Sequence, residues 1–283
     1  MRRALDVLLV VLTLLAAAAA PADETPVWAL TDPVEQGALV RGRCEGGCRV
    51  VLDGRAVRVD RHGRFVLGFD RDHAATARLE LVWPNGRRVE RRLEVGARAW
   101  DVQRIDGLPP AQVTPSDPAL LARIDRERAA IRRARGLDSD LEGLWAGFVW
   151  PAEGRTSGVF GSQRVLNGQP RAPHLGIDIA APEGTPVRAA ASGVVRLAEP
   201  DLFFTGGTVI IDHGHGVGTI YAHLSRIDVA AGDAVSQGQP LGAIGKTGRA
   251  TGPHLHLGLY WFERAVDPER VLPPLPATPA EPG

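Results

Sequence analysis

Along residues 27 to 95 short apolar stretches alternate with turn residues. Ala38-Leu39-Val40, Val50-Val51-Leu52, Ala56 to Val59, Phe65 to Phe69, Leu79 to Trp83 and Val89 to Val95 are separated by Asp53-Gly54, His62-Gly63 and Asn85-Gly86. Asp-Gly and Asn-Gly signal hairpins, because both residues of the tight turn need positive φ. The pattern predicts a small β-sandwich over residues 23–98, in which His62 and His73 are turn or surface residues. The periodicity fails at residues 97 to 118, where Pro109, Pro110, Pro115 and Pro118 mark a linker. Within the linker region 99–142 one helix is expected. Asp117 is its N-cap, Pro118 its first residue, Leu120, Leu121, Ile124 and Ile131 its apolar stripe, and Gly136 its stop. Arg123, Arg126, Arg128, Arg132, Arg133 and Arg135 cover the other side, as a solvated face or as a contact for an anionic polymer.

From Trp145 onward the chain is rich in Gly and β-branched residues. Val187 to Leu197, Thr208 to Ile211, Thr219 to His223 and Leu255 to Trp261 read as strands, divided by turns such as Pro182-Glu183-Gly184 and Gly214-His215-Gly216. A second domain over residues 143–273 therefore completes a mainly β chain. Residues 274–283 form a Pro-rich tail expected to be disordered. At the other end Arg2 and Arg3 precede an apolar run from Val7 to Ala19, and Ala20-Pro21-Ala22 offers a small-x-small cleavage site. Residues 1–22 thus read as a cleavable signal peptide, since a run this short falls below the roughly 20 residues of a membrane span. Neither a complete twin-arginine signal nor a cysteine for lipid attachment accompanies it.

Composition adds three constraints. The 283 residues carry 33 Lys plus Arg against 33 Asp plus Glu, so no basic surface advertises nucleic acid. Cys44 and Cys48, the only cysteines, flank Glu-Gly-Gly, and in an exported chain they predict a local disulfide rather than half of a metal cage. Of eight histidines, six fall between His174 and His256, which concentrates the candidate chemistry in the second domain.

His174 and Asp178 in His174-Leu175-Gly176-Ile177-Asp178 have the same parity, as do His254 and His256 in His254-Leu255-His256. If extended, each pair faces one side of a sheet. Two imidazoles and a carboxylate satisfy a catalytic zinc ion and leave a fourth position for water or substrate. Two further imidazoles can orient that water and take its proton. His213 and His215, between glycines, read as hairpin-tip residues instead.

These motifs resemble the lysostaphin/LytM-type zinc metallopeptidases, which cut peptide cross-links in bacterial peptidoglycan. The resemblance spans roughly residues 147 to 271 and includes Gly158-Val159-Phe160-Gly161, the His174 to Asp178 motif with Ile179 to Val187 after it, Gly193-Val194-Val195, Tyr221-Ala222-His223-Leu224, and Thr251 to His256, all in the family's order. It implies an antiparallel β-sheet peptidase domain holding one zinc ion on His174, Asp178 and His256, with His223 and His254 as the catalytic histidines. The implied substrate is the stem peptide of peptidoglycan, met in the periplasm or outside the cell. Family members that have lost ligands activate a cell-wall amidase, serve a divisome partner or act as wall-binding modules; the five intact positions favour an enzyme. Two departures stand out. Leu257-Gly258-Leu259-Tyr260 follows His256 where many members have an aromatic and an acidic residue. No tyrosine occurs in residues 147 to 173, so Arg155, Gln163, Arg164 or Arg171 would have to replace the one some lytic members use.

Overall fold

The structure is a computed structural model and describes residues 28–105, 117–166 and 168–274. The signal peptide expected at residues 1–22 and the tail after residue 274 lie outside the described residues. In the N-terminal region β1 (Trp28–Leu30), β2 (Leu39–Cys44) and β5 (Arg64–Gly68) form one antiparallel sheet. β3 (Arg49–Leu52), β4 (Arg55–Val57), β6 (Thr76–Val82) and β7 (Arg88–Glu94) form another, in the order β4-β3-β6-β7. Alternate residues of β6, namely Ala77, Leu79 and Leu81, are buried, as a period of two requires. Cys44 and Cys48 are joined by a disulfide with Cα atoms 6.2 Å apart, closing the turn between β2 and β3. Gly46 and Gly47 in that turn take φ values of 74° and 70°.

The proline-containing segment is more ordered at its start than its composition suggests. β8 (Val102–Ile105) pairs in parallel with β10 (Gln163–Leu166), and β10 forms a hairpin with β11 (Gln169–Pro170). Residues 106–116 lie outside the described residues. The helix α1 (Pro118–Arg135) has the expected ends: Asp117 accepts from the Ala119 amide at 2.9 Å, and the Gly136 amide bonds the Arg132 carbonyl. Three of the four expected stripe residues face inward, with Leu120 and Ile131 half-buried beside the buried Ile124. Ile124 and Ala134 are buried while Leu121 is 43% exposed. The helix lies on a sheet, and Ala130, Ile131 and Ala134 at helical spacing let its backbone come close to Leu197, Ile210 and Tyr260. Several arginines are engaged: Arg123 bonds Glu127 at 2.6 Å and pairs with Asp201 at 3.2 Å, and Arg135 stacks 4.0 Å from the Tyr260 ring centre.

The second region is built on one antiparallel sheet. It runs β17 (Ala234–Val235), β14 (Gly193–Leu202), β15 (Gly206–Gly214), β16 (Val217–Ile227), β19 (His254–Trp261), β12 (Ile177–Ala180), β9 (Arg155–Gly158). β13 (Pro186–Arg188) pairs with β18 (Pro240–Ile244), which joins β16, and β20 (Arg264–Val266) pairs with β19. The single strand expected over residues 187–197 is therefore two strands. Between them the Ala190 amide leaves the ladder and donates to the Tyr221 hydroxyl at 2.8 Å, with Ala189, Ala190 and Ala191 fully buried at the bend. Among the described residues no helix is long and apolar enough to cross a membrane.

The two regions share a core. Phe65 and Leu67 of the sandwich belong to the same buried cluster as Leu257, Leu259 and Trp261 of β19. Gly68 lies against Trp261, where an added Cβ would fall 2.5 Å from the indole's own Cβ. Arg264 donates to the Gly68 carbonyl at 3.0 Å, Arg98 meets Asp267 at 2.9 Å, and the Asp267 amide donates to the Gly37 carbonyl at 2.7 Å. Gly68→Val forces Trp261 aside, an overpacking that costs about 1–3 kcal/mol. Calorimetry should show one transition for the whole chain, shifted down as a unit; two transitions with only one shifted would mean separate cores.

Candidate metal and catalytic centre

Asp178 of β12 pairs directly with His256 of β19, and Ala180 with His254. Both histidines therefore project from the face of β19 that also carries Tyr260, while Leu255, Leu257 and Leu259 enter the shared core. His174 reaches the same point from the loop before β12. His174 Nε2 lies 3.0 Å from Asp178 Oδ1 and 2.9 Å from His256 Nδ1, and those two atoms are 3.0 Å apart. Glycines make room for the convergence: a Cβ at Gly158 would stand 2.5 Å from Asp178 Oδ2, and one at Gly176 would stand 2.8 Å from the His256 ring.

The donor chemistry of this triangle fits a cation. The Val159 carbonyl, 3.0 Å from His174 Nδ1, can only accept, so the Nδ1 proton is committed there and Nε2 presents a lone pair. Three electron-rich atoms then face one another, and a single proton relieves at most one side. Tetrahedral coordination at about 2.0 Å spaces ligand atoms roughly 3.3 Å apart, close to the observed sides. Among the described residues these are the only three His, Cys, Asp or Glu side chains grouped to hold a metal. Burial works to raise the Asp178 carboxyl, but the His174 and His256 imidazoles beside it outweigh that and hold the group well below the usual carboxylate range. Burial also pushes the His256 imidazole down.

His223 and His254 stand beside the triangle. In a regular β16 His223 would follow Tyr221 into the core. Its φ of 65°, in the left-handed region, breaks the alternation and brings its ring centre to 4.7 Å from that of His254. The Thr247 carbonyl lies 2.8 Å from His223 Nδ1 and the Gly252 carbonyl 2.8 Å from His254 Nδ1. Each Nδ1–H is thereby used, and each Nε2 is left as an acceptor. His254 Nε2 lies 3.8 Å from Asp178 Oδ1. Burial pushes His223 down to about 4, so its imidazole is neutral at neutral pH. The three side chains of the triangle and His254 remain 16–24% exposed, leaving the centre open on one side.

Other sequence candidates lie elsewhere. His213 and His215 stand at the opposite end of the β15–β16 hairpin, buried and packed edge-on against Phe148 and Trp145. The Gln163 side-chain amide is committed to the Arg171 carbonyl at 2.7 Å, and Arg155 is exposed on the edge strand β9. The Arg164 side chain lies outside what the structure describes. Leu257, Gly258 and Leu259 are buried, and Tyr260 sits beneath Arg135. Sequence reasoning did not find the carbonyls of Val159, Thr247 and Gly252. Only the glycines beside the motifs hinted at close backbone approach.

Residues 172–268 match the family model described as Peptidase family M23. The DD-carboxypeptidase/endopeptidase Mpg of Neisseria meningitidis serogroup B is 47% identical over 103 residues, 36% of this chain and 24% of that protein. The peptidoglycan DD-endopeptidase ShyA of Vibrio cholerae serotype O1 is 47% identical over 96 residues, 34% of this chain and 22% of that protein. The matched stretch thus covers about a quarter of these curated relatives. The crystal structure of a Pseudomonas aeruginosa protein assigned to peptidase M23 superposes with a TM-score of 0.66 at 32% identity, covering 85% of this chain and 95% of that one.

His213 makes the pH dependence of folding testable away from the centre. Burial pushes it down to about 4, against 6.5 in an unfolded chain. Between those values the unfolded state binds the extra proton, so stability is full above about pH 6.5 and falls as pH drops toward 4, by about 3 kcal/mol in total from this group. Urea unfolding of the metal-free protein should show stability falling over that range, and His213→Gln should make the fall shallower, His223 contributing in the same window. An equal slope in both proteins would refute the assignment.

Proposed function

Because the chain belongs to peptidase family M23, we propose that it is a zinc metalloendopeptidase hydrolysing the peptide cross-links of bacterial peptidoglycan. The observation that carries this reading is the convergence of His174 Nε2, Asp178 Oδ1 and His256 Nδ1 within 3.0 Å of one another, beside two histidines whose Nε2 atoms are left as acceptors. A zinc ion held by those three atoms would supply Lewis acidity and lower the pKa of a water in the centre. The chain's own residues do the remainder. The carbonyls of Thr247 and Gly252 fix the tautomers of His223 and His254, so each Nε2 can accept a proton from a water entering the centre and return it to the leaving amine. His223, neutral down to about pH 4, is competent for this at neutral pH. Asp178 keeps its charge and supplies the single anion of the set.

The names of the curated relatives support peptidoglycan as the substrate class. Residues 1–22 as an export signal and a Cys44–Cys48 disulfide suit an oxidising compartment, and we place the mature protein in the periplasm or outside the cell. An intact set of five polar residues argues against a silent activator of a cell-wall amidase.

Incubating the zinc-loaded full chain with cross-linked sacculi should convert dimeric muropeptides to monomers, read by chromatography. His223→Ala should slow this by at least about 100-fold, and Asp178→Ala should leave no zinc in elemental analysis. No loss of dimers, with wild type and His223→Ala alike, would sink the hydrolase reading; activation of an amidase by the Asp178→Ala protein would favour the regulator.

A further inference from the structure

Asp178 and His256 are fixed by the β12–β19 ladder, but His174 comes from a loop, so something other than the sheet must hold it. Its immediate support is the segment Val159–Gln163. The His174 imidazole donates to the Val159 carbonyl at 3.0 Å, the Gly161 amide donates to the His174 carbonyl at 2.8 Å, and the His174 amide donates to the Ser162 carbonyl at 2.8 Å. That segment is itself gripped from the N-terminal domain. Arg71, in the turn after β5, is only 8% exposed and is the only buried lysine or arginine among the described residues. Its Nε donates to the Gly161 carbonyl at 2.8 Å, and its Nη2 lies 3.4 Å from Gln163 Oε1. The Gln163 amide in turn donates to the Arg171 carbonyl at 2.7 Å, three residues before His174. Asp72 balances the guanidinium charge through Nη1, and Trp100 covers Gly161 so closely that a Cβ there would lie 2.1 Å from the indole.

A buried guanidinium is costly unless its donors are used. Here two of its three hydrogen-bonding partners lie across the domain boundary, on the segment that holds a metal ligand. We propose that Arg71 is a positioning residue for His174, making the N-terminal sandwich part of the metal centre's scaffold. The proposal rests on the ligand set assigned above. Residues that orient a ligand at one remove typically change metal affinity 10–100-fold when lost.

The test is zinc affinity of the full chain by chelator competition, for wild type, Arg71→Met, Arg71→Lys, Arg264→Met and Asp178→Ala. Arg264 also crosses the domain boundary, but to the Gly68 carbonyl, far along β19 from His256, so its variant reports general loosening of the interface. Arg71→Met should weaken binding about 10–100-fold. Arg71→Lys, whose single ammonium reaches one acceptor, should recover part of the loss, and Arg264→Met should stay within about threefold of wild type. In the metal-free protein, imidazole ¹⁵N spectra should show the His174 Nδ1 proton exchanging faster in both Arg71 variants, with His223 and His254 unchanged. The proposal fails if Arg71→Met binds zinc as wild type does, or no worse than Arg264→Met. If Arg71→Met does not fold, Arg71→Lys decides by the same two measurements, and wild-type affinity with an unchanged His174 signal overturns the proposal. Retained zinc in Asp178→Ala would overturn the ligand set instead.

Discussion

Asp178 stands across from His256 in the ladder between β12 and β19, and this one register determines what the rest of the sheet can do. A slip of one residue would place Asp178 opposite a leucine and turn the histidines into the shared core, because side chains alternate faces with a period of two. Gly158, on the other neighbour of β12, leaves the carboxylate the space that any side chain there would fill. On the far side of β19, β16 places Ala222 against His256, and the left-handed residue that follows delivers His223 to the same face. The centre is therefore assembled by three adjacent strands whose pairing the hydrophobic pattern enforces. His174 is the exception and needs support from outside the sheet.

Much of this was legible in the sequence because parity is local. Asp178, His254 and His256 could be assigned to a face from spacing alone, whereas His174, expected to share a strand face with Asp178, comes from a loop; the hairpin signals at Asp53-Gly54 and Asn85-Gly86 lie between paired strands as expected. Both ends of α1 were readable from Asp117, Pro118 and Gly136. What was not legible depends on tertiary contact. A regular strand pattern would point His223 the wrong way, and nothing near it announces a positive φ. The break after Arg188 comes from the Tyr221 hydroxyl, 31 residues away from the amide it captures. On α1 only Leu121 falls outside the buried side, where Ala130 and Ala134 join Ile124 and Ile131 because alanines let the helix approach the sheet more closely than leucines. Arg71 could not be found at all, since its partners lie 90 and 92 residues further on.

The neutral overall charge has a structural counterpart. Many of the arginines are engaged within the protein, some across the domain boundary as with Arg55–Glu263 and Arg98–Asp267, so a near-zero net charge coexists with a dense internal use of guanidinium. Together with the shared core around Phe65 and Trp261, these contacts join the sandwich to the second domain rather than leaving it a module on a loose tether.

On this reading the β12–β19 register and the loop before it create one three-ligand metal site. Anomalous diffraction at the zinc edge, on crystals of the zinc-loaded full chain, tests it most directly. One strong peak should appear, bonded to His174 Nε2, Asp178 Oδ1 and His256 Nδ1, with His223 and His254 close by but unbonded. A peak coordinated by any other set of residues, or none at this triangle, would contradict it.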